Sequence, residues 1–143
     1  MPVEENVTLM RRWYNDLWNE DRVQTIHDLM DKNAVVIGPG NPPSEIRGPA
    51  EFERFYHEIR KAFAKQRFHI EDIFGVEDKV VTRWCDEAVH VGDFQGIPAT
   101  NRTVRVSGIS IVECENGKIV RGWDHWDQLG LIHQLTMRAA GAD

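Results

Sequence analysis

Apolar residues recur at helical spacing at the start of the chain: Val7, Met10, Tyr14 and Leu17, with Trp18 beside them. This pattern predicts a first helix over residues 4–19, whose start is favoured by the charges of Glu4 and Glu5. Asp21 followed by Gln24 reads as a capping box for a second helix with an apolar stripe of Val23, Ile26 and Met30. Ala34, Val35, Val36 and Ile37 form a short, fully apolar strand. Residues 38–44 hold three prolines and two glycines, so they are irregular, an ordinary connection or a lid. Pro49 at a first helical position opens a third helix with a buried face of Phe52, Phe55, Tyr56, Ile59 and Phe63. After Gln66 the period falls to two. Strands are predicted over residues 68–74, from Lys79 to about Val91, over 102–115 and over 118–126. The apolar phase of the third of these moves from Val104 and Val106 to Ile109 and Ile111 across Gly108. A bulge at Gly108, or burial on both faces, would account for the move. Leu129, Ile132 and Leu135 give a closing helix its stripe, and the tail from Met137 to Asp143 is expected to fray.

The hairpin at the end is the most informative stretch. Asn116-Gly117 is the strongest short turn signal, because both residues tolerate positive φ. The strand that follows ends at Asp127, placed to cap the closing helix. Between turn and cap stands Asp124, flanked by Trp123, His125 and Trp126. Strand alternation puts Val120, Gly122, Asp124 and Trp126 on one face. A carboxyl in aromatic surroundings is desolvated, which raises its pKa and suits it to proton transfer near neutral pH. On the outer face it would be an ordinary satisfied carboxylate.

Helices segregating to one side of a largely antiparallel sheet make the fold class α+β, one domain over residues 1–143. Long strands with a bulge imply curvature, and a curved sheet closed by helices leaves a concave space for a small molecule. Composition adds mainly exclusions. The chain is 41% hydrophobic and 28% charged, with a net charge of −6 and no Lys/Arg block, which argues against nucleic acid or an anionic membrane as partner. No apolar run is long enough to cross a bilayer, and the acidic start is unlike a secretory signal. Cys85 and Cys114 are too few and too far apart for a disulfide framework or zinc site, so a reducing cytoplasm is the default. The six histidines show no metal-ligand spacing. Five tryptophans point to a core or pocket with large flat walls.

Several runs carry a resemblance: Ile46-Arg47-Gly48-Pro49, Arg83-Trp84, residues 90–100 (HVGDFQGIPAT), Gly108-Ile109-Ser110-Ile111, and residues 117–131 with the Trp123-Asp124 and Trp126-Asp127 pairs. Over nearly the whole chain the sequence resembles the SnoaL-like polyketide cyclase family of the NTF2-like superfamily. The resemblance implies a cone, a curved mostly antiparallel sheet with helices closing a central pocket, and a homodimer packed through the outer sheet face. It also implies ring closure by intramolecular aldol condensation, without metal or cofactor, with an aspartate as general acid/base. Asp124, three residues before the capping Asp127, matches that aspartate. Limonene-type epoxide hydrolases are similar but add an Arg, a second Asp, a Tyr and an Asn. Here His90 stands near the Arg position, Gly92 at the second Asp, and Val36, Ile37 and Gly38 on the first strand. Those departures argue against epoxide hydrolysis by that mechanism.

The candidate set is Asp124 and His90 as catalytic pair, with Tyr14, Trp84, Trp126 and Ser110 against the substrate. His90 shares a face with Thr82, Trp84, Asp86 and Ala88 and should face the same cavity as Asp124, unless it is a hydrogen-bonded structural histidine. Trp84 and Trp126 are placed in the pocket and Trp13, Trp18 and Trp123 elsewhere; Tyr14 and Ser110 have bland alternatives, a backbone contact and a tight sheet. His125 and Arg83 face outward by alternation, and residues 92–100 form a pocket rim or dimer contact. Three functions fit. The first is cyclisation or isomerisation of an apolar carbonyl compound. The second is a hydrolase or dehydratase in which Asp124 and His90 activate water. The third is a binder that transforms nothing.

Overall fold

The two periods of the sequence become two layers, helices over one face of a single sheet. The computed structural model describes residues 2–137. In order, the chain forms α1 (Val3–Arg12), a π-helical segment (Trp13–Asn19), α2 (Gln24–Leu29), β1 (Met30–Ile37), β2 (Glu45–Arg47) and α3 (Gly48–Ala62). It continues with β3 (Phe63–Val76), β4 (Lys79–His90), β5 (Thr103–Glu115), β6 (Lys118–Trp126) and α4 (Gln128–Thr136). The sheet order is β2-β1-β6-β5-β4-β3. β1 and β6 run parallel and the other neighbours are antiparallel. Register shifts interrupt β3 twice, between Ala64 and Arg67 and between Ile70 and Asp72, and the β1–β6 and β5–β6 pairings once each. An extra residue bends the strand that carries it, so the sheet curls. Helices α1 and α3 and the π-helical segment close the concave side, and the core fills the space beneath them. The α+β cone expected from the sequence is therefore the observed fold.

The final hairpin forms as its sequence demands. Asn116 and Gly117 have φ of 51° and 74°, the paired positive values of a two-residue turn matched to strand twist. Asp127 caps α4, accepting a hydrogen bond from the Gly130 amide at 2.9 Å.

Several expectations need correcting. The first helix has the predicted extent but not one pitch: from Trp13 it widens, with the Glu20 amide donating to the Asn15 carbonyl five residues back. Asp21 does not cap α2. It sits at φ 56°, and its carboxylate instead accepts from the Tyr56 hydroxyl at 2.5 Å. Phe63 opens β3 instead of closing α3, and β1 begins at Met30. The short strand β2 was not foreseen. In α4, Leu129 is 65% exposed and Leu131 takes the inward place. The tail beyond Met137 lies outside the described residues.

No bulge exists at Gly108. Both ladders run through it in unbroken register, with Gly108 opposite Trp84 and Trp126. The alternation simply continues: Val104, Val106, Ser110 and Val112 face inward, and Ile109 and Ile111 remain exposed outside. Glycine is needed because a Cβ there would stand 2.4 Å from the Trp84 ring and 2.8 Å from the His125 carbonyl oxygen. Gly108→Ala is expected to lower stability by about 1–3 kcal/mol through this overpacking, measurable by urea denaturation.

Candidate active site

The wide turn of the π-helical segment brings Trp13, Tyr14, Leu17 and Trp18 to one buried face. A uniform helical pitch would spread them around more of the helix circumference. Opposite them, the inward residues of β4, β5 and β6 form a wall. Between the two lies a cavity of about 120 Å³. A single buried water needs only about 10–15 Å³, so there is room for an organic guest. The walls are mainly aromatic and aliphatic, with Trp13, Trp18, Phe52, Phe63, Phe68 and Trp84 prominent among them.

A polar cluster centred on β5 and β6 interrupts the apolar lining. Ser110 and Asp124 are directly opposite each other across β5 and β6, and Thr82 and Ser110 across β4 and β5. The Trp84 indole Nε1–H donates to Ser110 Oγ at 3.0 Å, and the Ser110 hydroxyl in turn donates to Asp124 Oδ1. A serine oxygen that already accepts from an indole has its own proton free for the carboxylate. The Tyr14 hydroxyl lies near Ser110, Thr82 and Asp124 on the helical side, and Thr82 Oγ1 is buried without a hydrogen-bond partner. Asp124 lines the cavity and is partly buried.

Burial pushes the Asp124 carboxyl above the ordinary carboxylate range, against the opposing pull of the Ser110 hydrogen bond and the nearby His125. Burial and then the Asp124 charge push the Tyr14 phenol up, so it stays a neutral donor. The arrangement offers one carboxyl whose ionisation burial disfavours, beside hydroxyl groups, in a mainly apolar pocket.

Of the six residues singled out from the sequence, Asp124, Ser110, Tyr14 and Trp84 converge in this cluster, and Trp126 lines the same cavity. Trp13, Trp18 and Trp123, expected elsewhere, line it too, so all five tryptophans border the cavity. His90 is a correction. It is wholly buried but does not line the cavity. The Thr100 amide donates to its Nδ1 at 3.2 Å, Thr100 Oγ1 lies 3.0 Å from the same nitrogen, and Phe63 packs over its ring. These contacts tie the end of β4 to residue 100, so the pair that would activate water is not assembled. Residues 92–100 supply Phe94 to the cavity rim, where it packs on Phe63 at 5.2 Å. Residues 38–44 stay outside it.

Two polar lining residues had not been singled out, Gln66 and Asp86. Gln66 Nε2 donates to Asp86 Oδ2 at 2.8 Å. The carboxyl of Asp86 is pushed up to about 7 by burial. Alternation along β4 had put Asp86 beside Trp84, which was the available signal. Among the described residues, no group of three or more His, Cys, Asp or Glu could hold a metal ion, and no helix is long and apolar enough to cross a membrane.

Comparison with known proteins bears on the family and the fold. The profile of the SnoaL-like polyketide cyclases matches residues 8–135. The aklanonic acid methyl ester cyclase DauD of Streptomyces sp. (strain C5) is 30% identical over 136 residues, covering 90% of this chain and 80% of that one. The cyclase DnrD of Streptomyces peucetius, named for the same substrate, is 30% identical over 135 residues, covering 90% and 89%. Among solved structures, a SnoaL-like protein from Jannaschia sp. CCS1 superposes with a TM-score of 0.87 at 16% identity, over 96% of this chain and 95% of that one.

Proposed function

The chain belongs to the SnoaL-like polyketide cyclase family, and from that premise we propose that it closes a carbon ring in an apolar guest with two carbonyl groups, by intramolecular aldol condensation at Asp124. The ionised carboxylate removes a proton from the carbon next to one carbonyl. The resulting enolate attacks the second carbonyl carbon, so one C–H bond breaks and one C–C bond forms. The protonated Asp124 then returns its proton to the new alkoxide. Nothing is oxidised and no group leaves. Tyr14, as a neutral donor, stabilises the oxygen on which charge develops, and Ser110 holds the Asp124 carboxyl in place.

The observation that carries this reading is the position of Asp124: its carboxyl faces an apolar cavity and is held there by the Trp84–Ser110 hydrogen-bond chain. A test needs only a ketone that fits. Acetylnaphthalene in deuterated buffer is expected to exchange its methyl protons faster with the protein than without it, read by NMR. Saturable binding with exchange no faster than in buffer would favour a binder over an enzyme.

The family also points to a homodimer through the outer sheet face. Phe74, Val81, Ile111, Trp123 and Ile37 lie opposite one another on neighbouring strands, one apolar row across β3, β4, β5, β6 and β1. Phe74 is 50% and Ile111 37% exposed in the single chain. A row of this kind rarely stays bare. Sedimentation should find a dimer, and Ile111→Glu a folded monomer. A monomeric parent at micromolar concentration would reject the interface.

A further inference from the structure

The cavity has a polar feature that the proposed proton transfer does not use. On β3, Lys65 and Gln66 together oppose the single residue Ala88, since Ala64 pairs with Val89 and Arg67 with Glu87. Lys65 takes φ of 56°, a left-handed conformation that few non-glycine residues adopt. The extra residue reverses the phase of the strand. Without it Lys65 and Arg67 would follow Phe63 inward. With it Gln66 and Phe68 do, and both line the cavity. Bulges of this kind re-aim side chains beside functional sites.

What the bulge delivers is a polar pair with unused capacity. Gln66 is 7% exposed and gives its amide N–H to Asp86 Oδ2. Gln66 Oε1 and Asp86 Oδ1 are buried with no hydrogen-bond partner. Orphan acceptors of this sort are costly, because each has given up water without a replacement partner. Two of them, on hydrogen-bonded residues that both line the cavity, one brought inward by the bulge, are better explained by a guest than by packing. When Asp86 is protonated, its carboxyl and Gln66 Oε1 together offer one donor and one acceptor, the complement of a hydroxyl group.

Their distance from the reacting end is fixed by register. Asp124 is level with Ser110 and Thr82, and Asp86 lies four residues further along β4. At about 3.3 Å per residue and about 4.8 Å per strand, the α-carbons of Asp86 and Asp124 are roughly 16 Å apart along the sheet. Side chains on a concave face converge, so the two carboxyls are closer than that.

We propose that the Asp86–Gln66 pair is a second polar station of the cavity, which binds a hydroxyl group at the end of the guest remote from the carbon attacked by Asp124. The pair orients a flat guest so that its ketone end meets Asp124 and its hydroxyl end meets β3 and β4. This deepens the reading of the cavity as a cyclase site and rests on it.

The test uses acetylnaphthalene and its analogue with a hydroxyl on the distal ring, titrated calorimetrically into the full-length protein. The hydroxylated ketone is expected to bind about tenfold more tightly. Gln66→Leu combined with Asp86→Leu should abolish that preference and leave acetylnaphthalene binding within about twofold. Asp86→Asn, which keeps a donor and the Gln66 contact, should retain the preference and serves as the variant least disturbing to the fold. Equal affinities in the parent protein, or an undiminished preference in the double variant, would overturn the proposal while the exchange assay on acetylnaphthalene still reports on Asp124. If neither ketone binds, the cavity reading and this one fall together.

Discussion

Asp124→Asn is expected to lower the rate of ring closure, and of methyl proton exchange in acetylnaphthalene, by about 10²- to 10⁴-fold, the range for removal of a positioned acid/base. The side chain keeps its shape, and its amide oxygen still accepts from the Ser110 hydroxyl. The loss should therefore fall on kcat and leave KM nearly unchanged. Stability should not suffer, because the substitution removes a carboxyl whose ionised form is disfavoured by burial. The pH profile gives an independent readout. The base acts when deprotonated, so activity falls as pH drops through the Asp124 pKa, which lies above the ordinary carboxylate value. The Ser110 hydrogen bond favours the ionised form, so Ser110→Ala should move that acid limb to higher pH. Turnover that survives Asp124→Asn would end the proposed mechanism.

Much of the cone was legible because its signals are local. The Asn116-Gly117 turn, the capping Asp127 and the alternation between them define β6 to the residue, and they leave only one question about Asp124, which face it occupies. The family resemblance implies the inward face, and Asp124 lines the cavity. What escaped reading depends on single-residue changes in pitch or phase. The π-helical turn at Trp13–Asn19 preserves an apolar pattern that a regular helix also explains, yet it decides that Tyr14 and both tryptophans point the same way. The bulge at Lys65 and Gln66 falls at the junction of α3 and β3, where the helical and strand periods overlap and Phe63 fits either. Its consequence, a buried Gln beside Asp86, cannot be seen without the partner strand. His90 shows the opposite limit. Alternation assigned its face correctly, but a face runs the length of a strand, and His90 sits where β4 ends and Thr100 takes up its ring nitrogen. The outward Ile109 and Ile111 looked like a break in phase because an apolar outer face was read as an inner one.

Asp86 should make the protein less stable as pH rises, and replacing it should remove much of that dependence. Burial raises its carboxyl to about 7 in the folded chain, from an ordinary value of 3.8, despite the Gln66 amide and the Arg60 charge, which both favour ionisation. Between those values the folded state holds a proton that the unfolded state has released. Stability then declines as pH climbs through that window, and the penalty is fully developed above about pH 7. A shift of this size corresponds to at most about 4 kcal/mol, and the partial exposure of Asp86 reduces it, so a gap of about 2–4 kcal/mol is reasonable. Asp86→Asn keeps an acceptor for Gln66 Nε2 and cannot ionise. It should therefore exceed the parent by about 2–4 kcal/mol at pH 8 in urea denaturation, with the gap narrowing by about 2 kcal/mol or more at pH 5. Asp124 is titrated in both proteins and cancels from the difference. A gap independent of pH would mean that Asp86 is ionised throughout, and that its free oxygen meets solvent instead of the enclosed space where a guest's hydroxyl would bind.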